Sequence, residues 1–341
     1  MRAAIHNPYL DSLGGGERYT MTFAEVLVKH GYVVDVEWED MTIREKLEKR
    51  FGKNFSDINF VGDIERGDNY DLCFWVSDGS IPTLRARHNL LHFQVPFHDI
   101  GGNSLLNKMK LFRIEKIICN SDFTKNVIDQ EYGVDSMVIY PPVDVVKIKP
   151  KRKENLILSV GRFSELKQSK HQDVLVQTFI QLVDNGLPDW KLVLAGGVEV
   201  GATELVGHLK KMSEGYPIEI IESPSFDCIA NLYGKSKIFW TASGFSENEE
   251  RNPEKVEHFG ISVVEAMAAG DICLAYNAGG HKETIEDGVN GYLWESVPEL
   301  LKKMNIILEN PKNMRQIAGK AVENSRLYSE ENFEREVEKI I

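Results

Sequence analysis

The chain has 341 residues, 42% hydrophobic and 27% charged, and a formal net charge of −12. That length is more than one ordinary core holds, so two domains are expected, and the acidic balance excludes general adhesion to nucleic acid. No apolar run approaches the ~20 residues of a membrane-spanning helix. Cys73, Cys119, Cys228 and Cys273 stand apart among apolar neighbours, with no Cys-x-x-Cys pair. They read as buried free thiols of a reducing compartment and not as a zinc site. Met1-Arg2 leads straight into a short strand without a signal-peptide pattern, so a cytoplasmic protein is expected.

Arg2 to His6 reads as a strand, Asn7 to Gly16 as a glycine-rich loop, Glu17 to His30 as a helix and Val33 to Trp38 as the next strand. This is the opening of a doubly wound parallel sheet. The run Gly14-Gly15-Gly16 does not fit the dinucleotide fingerprint, because its sixth position is Tyr19. Three glycines exceed what a tight turn needs, and point to something that approaches the backbone closely. Further strands are expected at Asp71 to Val76, His88 to Phe93, Lys116 to Asn120 and Met137 to Tyr140. His92, at the end of a buried strand, and His98 are both placed where open α/β sheets hold their sites. The helix expected over Ser104 to Ile114 sets Lys108, Lys110, Arg113 and Lys116 against Leu105, Leu106, Met109 and Phe112. Such a pattern suits an ordinary surface helix or peripheral contact with an anionic membrane.

Asp144 to Glu154 is Lys-rich and lacks periodicity, which marks the interdomain linker. A second series of strands follows at Asn155 to Val160, Lys191 to Ala195, Glu219 to Glu222, Ile238 to Trp240 and Ile272 to Tyr276, with helices between them. The first of these strands runs into Gly161-Arg162, with Lys167 and Lys170 beyond. Ser329 to Ile341 is a last helix.

The most informative stretch is Glu257-His-Phe-Gly-Ile-Ser-Val-Val-Glu265, which runs on into Ala-Met-Ala-Ala-Gly270. Ile261, Val264 and Ala268 make one apolar stripe, and Gly270 falls where a helix C-cap belongs. The helix therefore starts near Phe259-Gly260-Ile261, and its unpaired N–H groups form a natural anion site. Glu257 stands beside that anion. Glu265 reaches what the anion carries, and its two oxygens suit a vicinal diol such as ribose.

This Glu-x7-Glu string resembles the donor-site motif of glycosyltransferase family 4, closest to the branch that holds the mannosyltransferases of lipid-linked oligosaccharide assembly. The resemblance implies the α/β GT-B fold, two Rossmann-like doubly wound domains that face a central cleft. It places an acceptor domain at residues 1–150, a nucleotide-sugar donor domain at 151–328, and a helix at 329–341 that crosses back to the first. It implies a retaining hexosyl transfer, with mannosyl from GDP-mannose favoured, to a glycan or glycolipid. Gly15 and Gly16 resemble the loop that faces the donor phosphates. Arg162 and Lys170, or Lys167 in its place, resemble the phosphate clamp, and His92 is favoured over His98 beside the donor sugar. Phe259, Gly260, Ile261 and Glu265 would bind the donor, and Glu257 would orient the sugar. Asp-x-Asp, the cation-holding signature of the other major transferase fold, occurs nowhere in the chain. Metal-independent catalysis without a cofactor is therefore expected. Rival readings are a UDP-sugar transferase, a GT-B epimerase, a non-catalytic sugar-nucleotide binder and a nicotinamide oxidoreductase, the last weakened by the missing fingerprint.

Overall fold

The computed structural model describes residues 1–164, 168–199 and 201–341. The chain forms two compact units, Met1–Pro142 with Glu330–Ile341, and Val143–Ser329.

The first unit holds β1 (Arg2–His6), α1 (Gly15–Lys29), β2 (Val33–Glu37), α2 (Ile43–Phe51), β3 (Ile58–Val61), β4 (Leu72–Val76), β5 (His88–Phe93), α3 (Leu105–Leu111), β6 (Lys116–Cys119), α4 (Asp122–Tyr132) and β7 (Met137–Val138). The strands are all parallel, in the order β3-β2-β1-β4-β5-β6-β7. Parallel strands covered on both faces must be apolar throughout. β5 is buried from Asn89 to Phe93, and of its two polar members there Asn89 is satisfied by donating to the Ala86 and Arg113 carbonyls.

The second unit holds β8 (Leu156–Val160), α5 (Gln172–Asp184), β9 (Lys191–Gly196), α6 (Thr203–Met212), β10 (Ile218–Glu222), α7 (Phe226–Lys235), β11 (Ile238–Thr241), α8 (Ile261–Ala268), β12 (Ile272–Tyr276), α9 (His281–Thr284), β13 (Tyr292–Trp294), α10 (Val297–Glu309) and α11 (Pro311–Ser325). Its strands run parallel in the order β10-β9-β8-β11-β12-β13, the doubly wound pattern whose winding reverses between β8 and β11.

The last helix, α12 (Glu330–Glu338), belongs to the first unit. It buries Phe333 and Val337 in that unit's core, where the Phe333 ring meets Tyr19 of α1 edge-on at 4.8 Å. The ion pairs Lys29–Glu334 (2.6 Å) and Lys53–Glu330 (2.9 Å) flank this contact. The first unit ends at Pro142, ahead of the linker expected at residues 144–154.

Two sequence expectations are corrected here. Gly15 and Gly16 are not loop residues but the first turn of α1. Glu17 makes this possible, because its Oε2 accepts from the Gly14 N–H at 2.7 Å and from Ser12 Oγ at 2.6 Å and so closes the helix start. The group that lies close to this backbone is a side chain of the same unit: a Cβ on Gly16 would fall 1.8 Å from Gln94 Oε1. Cys73, Cys119 and Cys273 are buried and free, but Cys228 is half-exposed.

Candidate active site

The donor-site string lies at the reversal point of the second sheet. α8 starts at Ile261, and its cap is Gly260 at φ +101°, a conformation that side chains rarely adopt. The N–H groups of Val263 and Val264 both turn to the Gly260 carbonyl. Those of Ile261 and Ser262 precede the first intrahelical bond and are the donors a helix start offers to an anion. The other end closes as a Schellman motif. Asp271 N–H donates to Ala266 O at 3.0 Å and Gly270 N–H to Met267 O at 2.9 Å, with Gly270 at φ +76°. Val263, Val264 and Ala266 to Ala268 are buried, so this helix is anchored in the core along most of its length.

Glu257 precedes the helix start, and a second loop fixes its backbone. Gly280 N–H donates to Glu257 O at 2.7 Å. A Cβ on Gly279 would fall 2.2 Å from that same carbonyl, and one on Gly280 would fall 2.5 Å from His258 O. Only glycines let the two loops approach so closely. The acidic stretch after β11 is tied to the same turn, through Gly279 N–H to Glu249 Oε2 at 2.8 Å and a Lys282–Glu249 ion pair.

The Glu257 side chain is 15% exposed and forms an ion pair with Lys170, Oε2 to Nζ at 2.8 Å. The Lys170 ammonium also reaches Ser243 Oγ at 3.2 Å and Gln168 Oε1 at 3.1 Å. Its stem crosses Gly161, where a Cβ would meet Lys170 Cγ at 3.0 Å. Burial alone would raise the Glu257 pKa. The attraction of Lys170, with smaller parts from His281 and His258, outweighs that effect and holds the carboxyl at about 2. Buried His281 donates its Nδ1–H to the Tyr276 carbonyl, 2.8 Å away, and desolvation lowers its pKa.

Arg162 follows β8, and Gln172 Nε2 fixes its backbone by donating to the Arg162 carbonyl at 3.0 Å. The guanidinium is 49% exposed and lies 3.8 Å from Glu199 Oε1. Gly161 and Gly196 touch backbone to backbone, since a Cβ on Gly196 would fall 1.9 Å from the Gly161 carbonyl oxygen. Lys167, the other lysine considered for the clamp, lies outside the described residues. Glu265 sits one turn inside α8 and is 6% exposed. Tyr233 of α7 donates to its Oε2 at 3.0 Å. Phe259 turns its ring into the structure, edge-on to Tyr328 at 5.2 Å, so only its backbone suits donor binding.

The structure therefore brings Lys170, Glu257 and the start of α8 together in one unit, with Arg162 on the adjoining strand end. His92 is a correction. It is fully buried in the first unit, stacked on Tyr19 at 4.2 Å and beside Phe74 at 5.5 Å. Desolvation, partly offset by the backbone of Ile118, lowers its pKa to about 3. The strand end that suggested a site is roofed by α1, and His92 acts as a neutral aromatic of the core. His98 stays partly exposed, with Nδ1 3.2 Å from Asp99.

Sequence reasoning missed a second group at the carboxyl ends of β2, β1 and β4, beside the reversal point of the first sheet. His6 Nδ1 lies 2.9 Å from Glu37 Oε2, and its ring stacks on Trp75 at 3.7 Å. The three residues sit in register across neighbouring strands, a relation that only the strand pairing reveals. Among the described residues, no three His, Cys, Asp or Glu side chains gather as a metal-ligand set.

Cationic side chains and a helix start at the reversal point of a doubly wound unit are an arrangement that suits a phosphate group. Comparison with known proteins makes the class specific. Residues 143–324 match the model for glycosyl transferases group 1, and the chain belongs to that family. A human protein named GDP-Man:Man(3)GlcNAc(2)-PP-Dol alpha-1,2-mannosyltransferase is 30% identical over 245 residues, 64% of this chain and 46% of that one. An uncharacterized glycosyltransferase of Haemophilus influenzae is 26% identical over 97% of this chain and 95% of its own. The chain spans about half the length of the mannosyltransferases it matches. In fold it is similar to the Anabaena protein HepE, whose crystal structure is a complex with UDP, at a TM-score of 0.79 and 18% identity over 99% of both chains. That similarity supports two Rossmann-like α/β units, the fold class expected from the sequence.

Proposed function

We propose that this protein is a retaining glycosyltransferase that moves a hexosyl group, by preference mannosyl from GDP-mannose, to a glycan or glycolipid hydroxyl. The observation that carries the reading is the Lys170–Glu257 pair beside the start of α8, inside the span that matches the family. Negative charge grows on the leaving diphosphate during transfer, and preorganised donors aimed at that charge do most of the work. Lys170, Arg162 and the N–H groups of Ile261 and Ser262 would take this part. Glu257, held ionised, would accept from sugar hydroxyls and favour the positive charge that develops on the sugar. Glu265, steadied by Tyr233, would hold the ribose.

The preference for mannose follows the names of the matched mannosyltransferases. We assign the acceptor to the first unit, near the His6, Glu37 and Trp75 group at the carboxyl ends of its strands. A glycolipid acceptor would bring the protein to the cytoplasmic face of a membrane. Transfer would need no metal, with Lys170 and Arg162 serving in place of the cation that Asp-x-Asp enzymes hold.

Thermal shift with GDP, UDP and their sugars, followed by a transfer assay with the best donor, tests the proposal. GDP and GDP-mannose should raise the melting temperature by linkage, and Lys170→Met should abolish the rise. If no nucleoside diphosphate stabilises the protein, the reading fails.

A further inference from the structure

We propose that α3 and the residues that follow it dock the protein on an anionic lipid surface. This is independent of the donor site and does not rest on the activity proposed for it.

Alone among the described helices, α3 buries none of its residues. Leu105, Met109 and Phe112 fall at helical spacing on one face, with Leu106 beside them, and all four point outward. They are 77%, 67%, 92% and 62% exposed. A soluble protein does not leave four large apolar side chains together on a short helix without something to cover them. The helix is nevertheless seated firmly. Ser104 caps it, Asn107 Nδ2 donates to Gly102 O at 2.9 Å, and Leu111 and Ile114 pack against the core beneath. The exposed face is thus a fixed ridge.

Charge identifies what covers it. Lys108 and Lys110 flank the apolar stripe on either side, and Arg113 and Lys116 continue the basic run. None of the four takes part in an ion pair among the described residues, although most lysines of this acidic chain do. Apolar side chains ringed by unpaired cations match the boundary of a bilayer with anionic headgroups. A second copy of the chain fits poorly, because a two-fold contact would set this basic patch against itself. With a net charge of −12, the protein as a whole is repelled by an anionic surface. Attachment must therefore come from this patch and weaken with salt.

Each basic residue near an anionic surface raises partitioning about fivefold. Four of them, partly screened, should give at least a tenfold effect. The test is sedimentation of the full chain with vesicles of phosphatidylglycerol and phosphatidylcholine, compared with pure phosphatidylcholine. Binding should be at least tenfold stronger to the anionic vesicles and should fall on raising salt. The variant with Lys108→Ser, Lys110→Ser, Arg113→Ser and Lys116→Ser should lose at least tenfold. Phe112→Trp, at a side chain that touches almost nothing, should report burial by a blue shift of its fluorescence on anionic vesicles. Equal binding to both vesicles, binding unchanged in the fourfold variant, or no blue shift would overturn the proposal. So would a dimer in solution that Phe112→Ser dissolves, which would assign the face to a second copy.

Discussion

Removal of either member of the Lys170–Glu257 pair should be costly, and removal of both should cost far less than the sum. The Glu257 carboxyl falls from an ordinary 4.5 to about 2, a shift that corresponds to ~3 kcal/mol in favour of its ionised form. Burial works against that form, so the attraction of Lys170 exceeds the net figure. Lys170→Met leaves the carboxylate enclosed without its cation, and Glu257→Gln leaves the ammonium in the same position. Breaking one side of a fully buried pair costs about 3–5 kcal/mol, and this part-buried pair should fall at or below the lower end of that range. For a unit the size of Val143–Ser329, each kcal/mol lowers the melting temperature by about 2–4 °C. The double variant replaces two charges by two neutral groups, and a coupling of at least ~1.5 kcal/mol is expected. Urea unfolding of the four proteins at about pH 7 measures the cycle. Acid supplies an independent check on the sign. A carboxyl depressed in the fold contributes stability that is complete above its ordinary pKa of 4.5 and is lost as pH falls towards about 2. The native protein should lose this part of its stability over that window, and the Glu257→Gln protein should not. Single effects that add within about 0.5 kcal/mol would show that the two groups do not depend on one another.

Glu265→Ala should weaken nucleoside-diphosphate binding roughly tenfold or more and raise the donor KM more than it lowers kcat, since the ribose contact proposed for it would be the same before and during reaction. Glu257→Ala should instead leave diphosphate affinity nearly intact and lower kcat strongly, and calorimetry beside steady-state kinetics separates the two. Turnover should persist in chelator; complete loss, restored by magnesium or manganese, would refute the metal-free mechanism. Phe333→Ala should destabilise the first unit by about 3–5 kcal/mol, read by denaturant unfolding, because it empties the site against Tyr19.

The two sheets were legible in the sequence because parallel strands are short apolar runs, and Gly161, Gly260 and Gly270 punctuate them where the chain needs them. The region between Trp38 and Asp71 went unread. Its α2 does carry Ile43, Leu47 and Phe51 on one face, but lysines and glutamates fill the rest, and β3 is only four residues long. β13 is shorter still, and α10 and α11 were passed over although both are periodic and have proline in the first turn. Gly15 and Gly16 look like loop because glycine is a poor helix former. The capping carboxylate of Glu17 decides otherwise, and its partners are only partly visible from spacing. At the site, the family resemblance pointed to Lys170, with Lys167 left open, and to Glu257 separately. Their ion pair joins positions 87 residues apart, and nothing local encodes it. His92 was misread for the opposite reason: the strand-end rule is local, whereas the Tyr19 ring that roofs it comes from a helix elsewhere in the chain.

The place of α12 has a consequence for biosynthesis. The first unit is discontinuous in sequence, since its core is completed by Phe333 and Val337. A ribosome delivers every residue of the second unit before those two side chains emerge. The second unit can therefore close while the first still exposes the α1 surface around Tyr19, which inverts the usual order in which N-terminal domains fold first. In the interval that surface is a place for a chaperone to hold the nascent chain, and release waits on the docking of a single nine-residue helix.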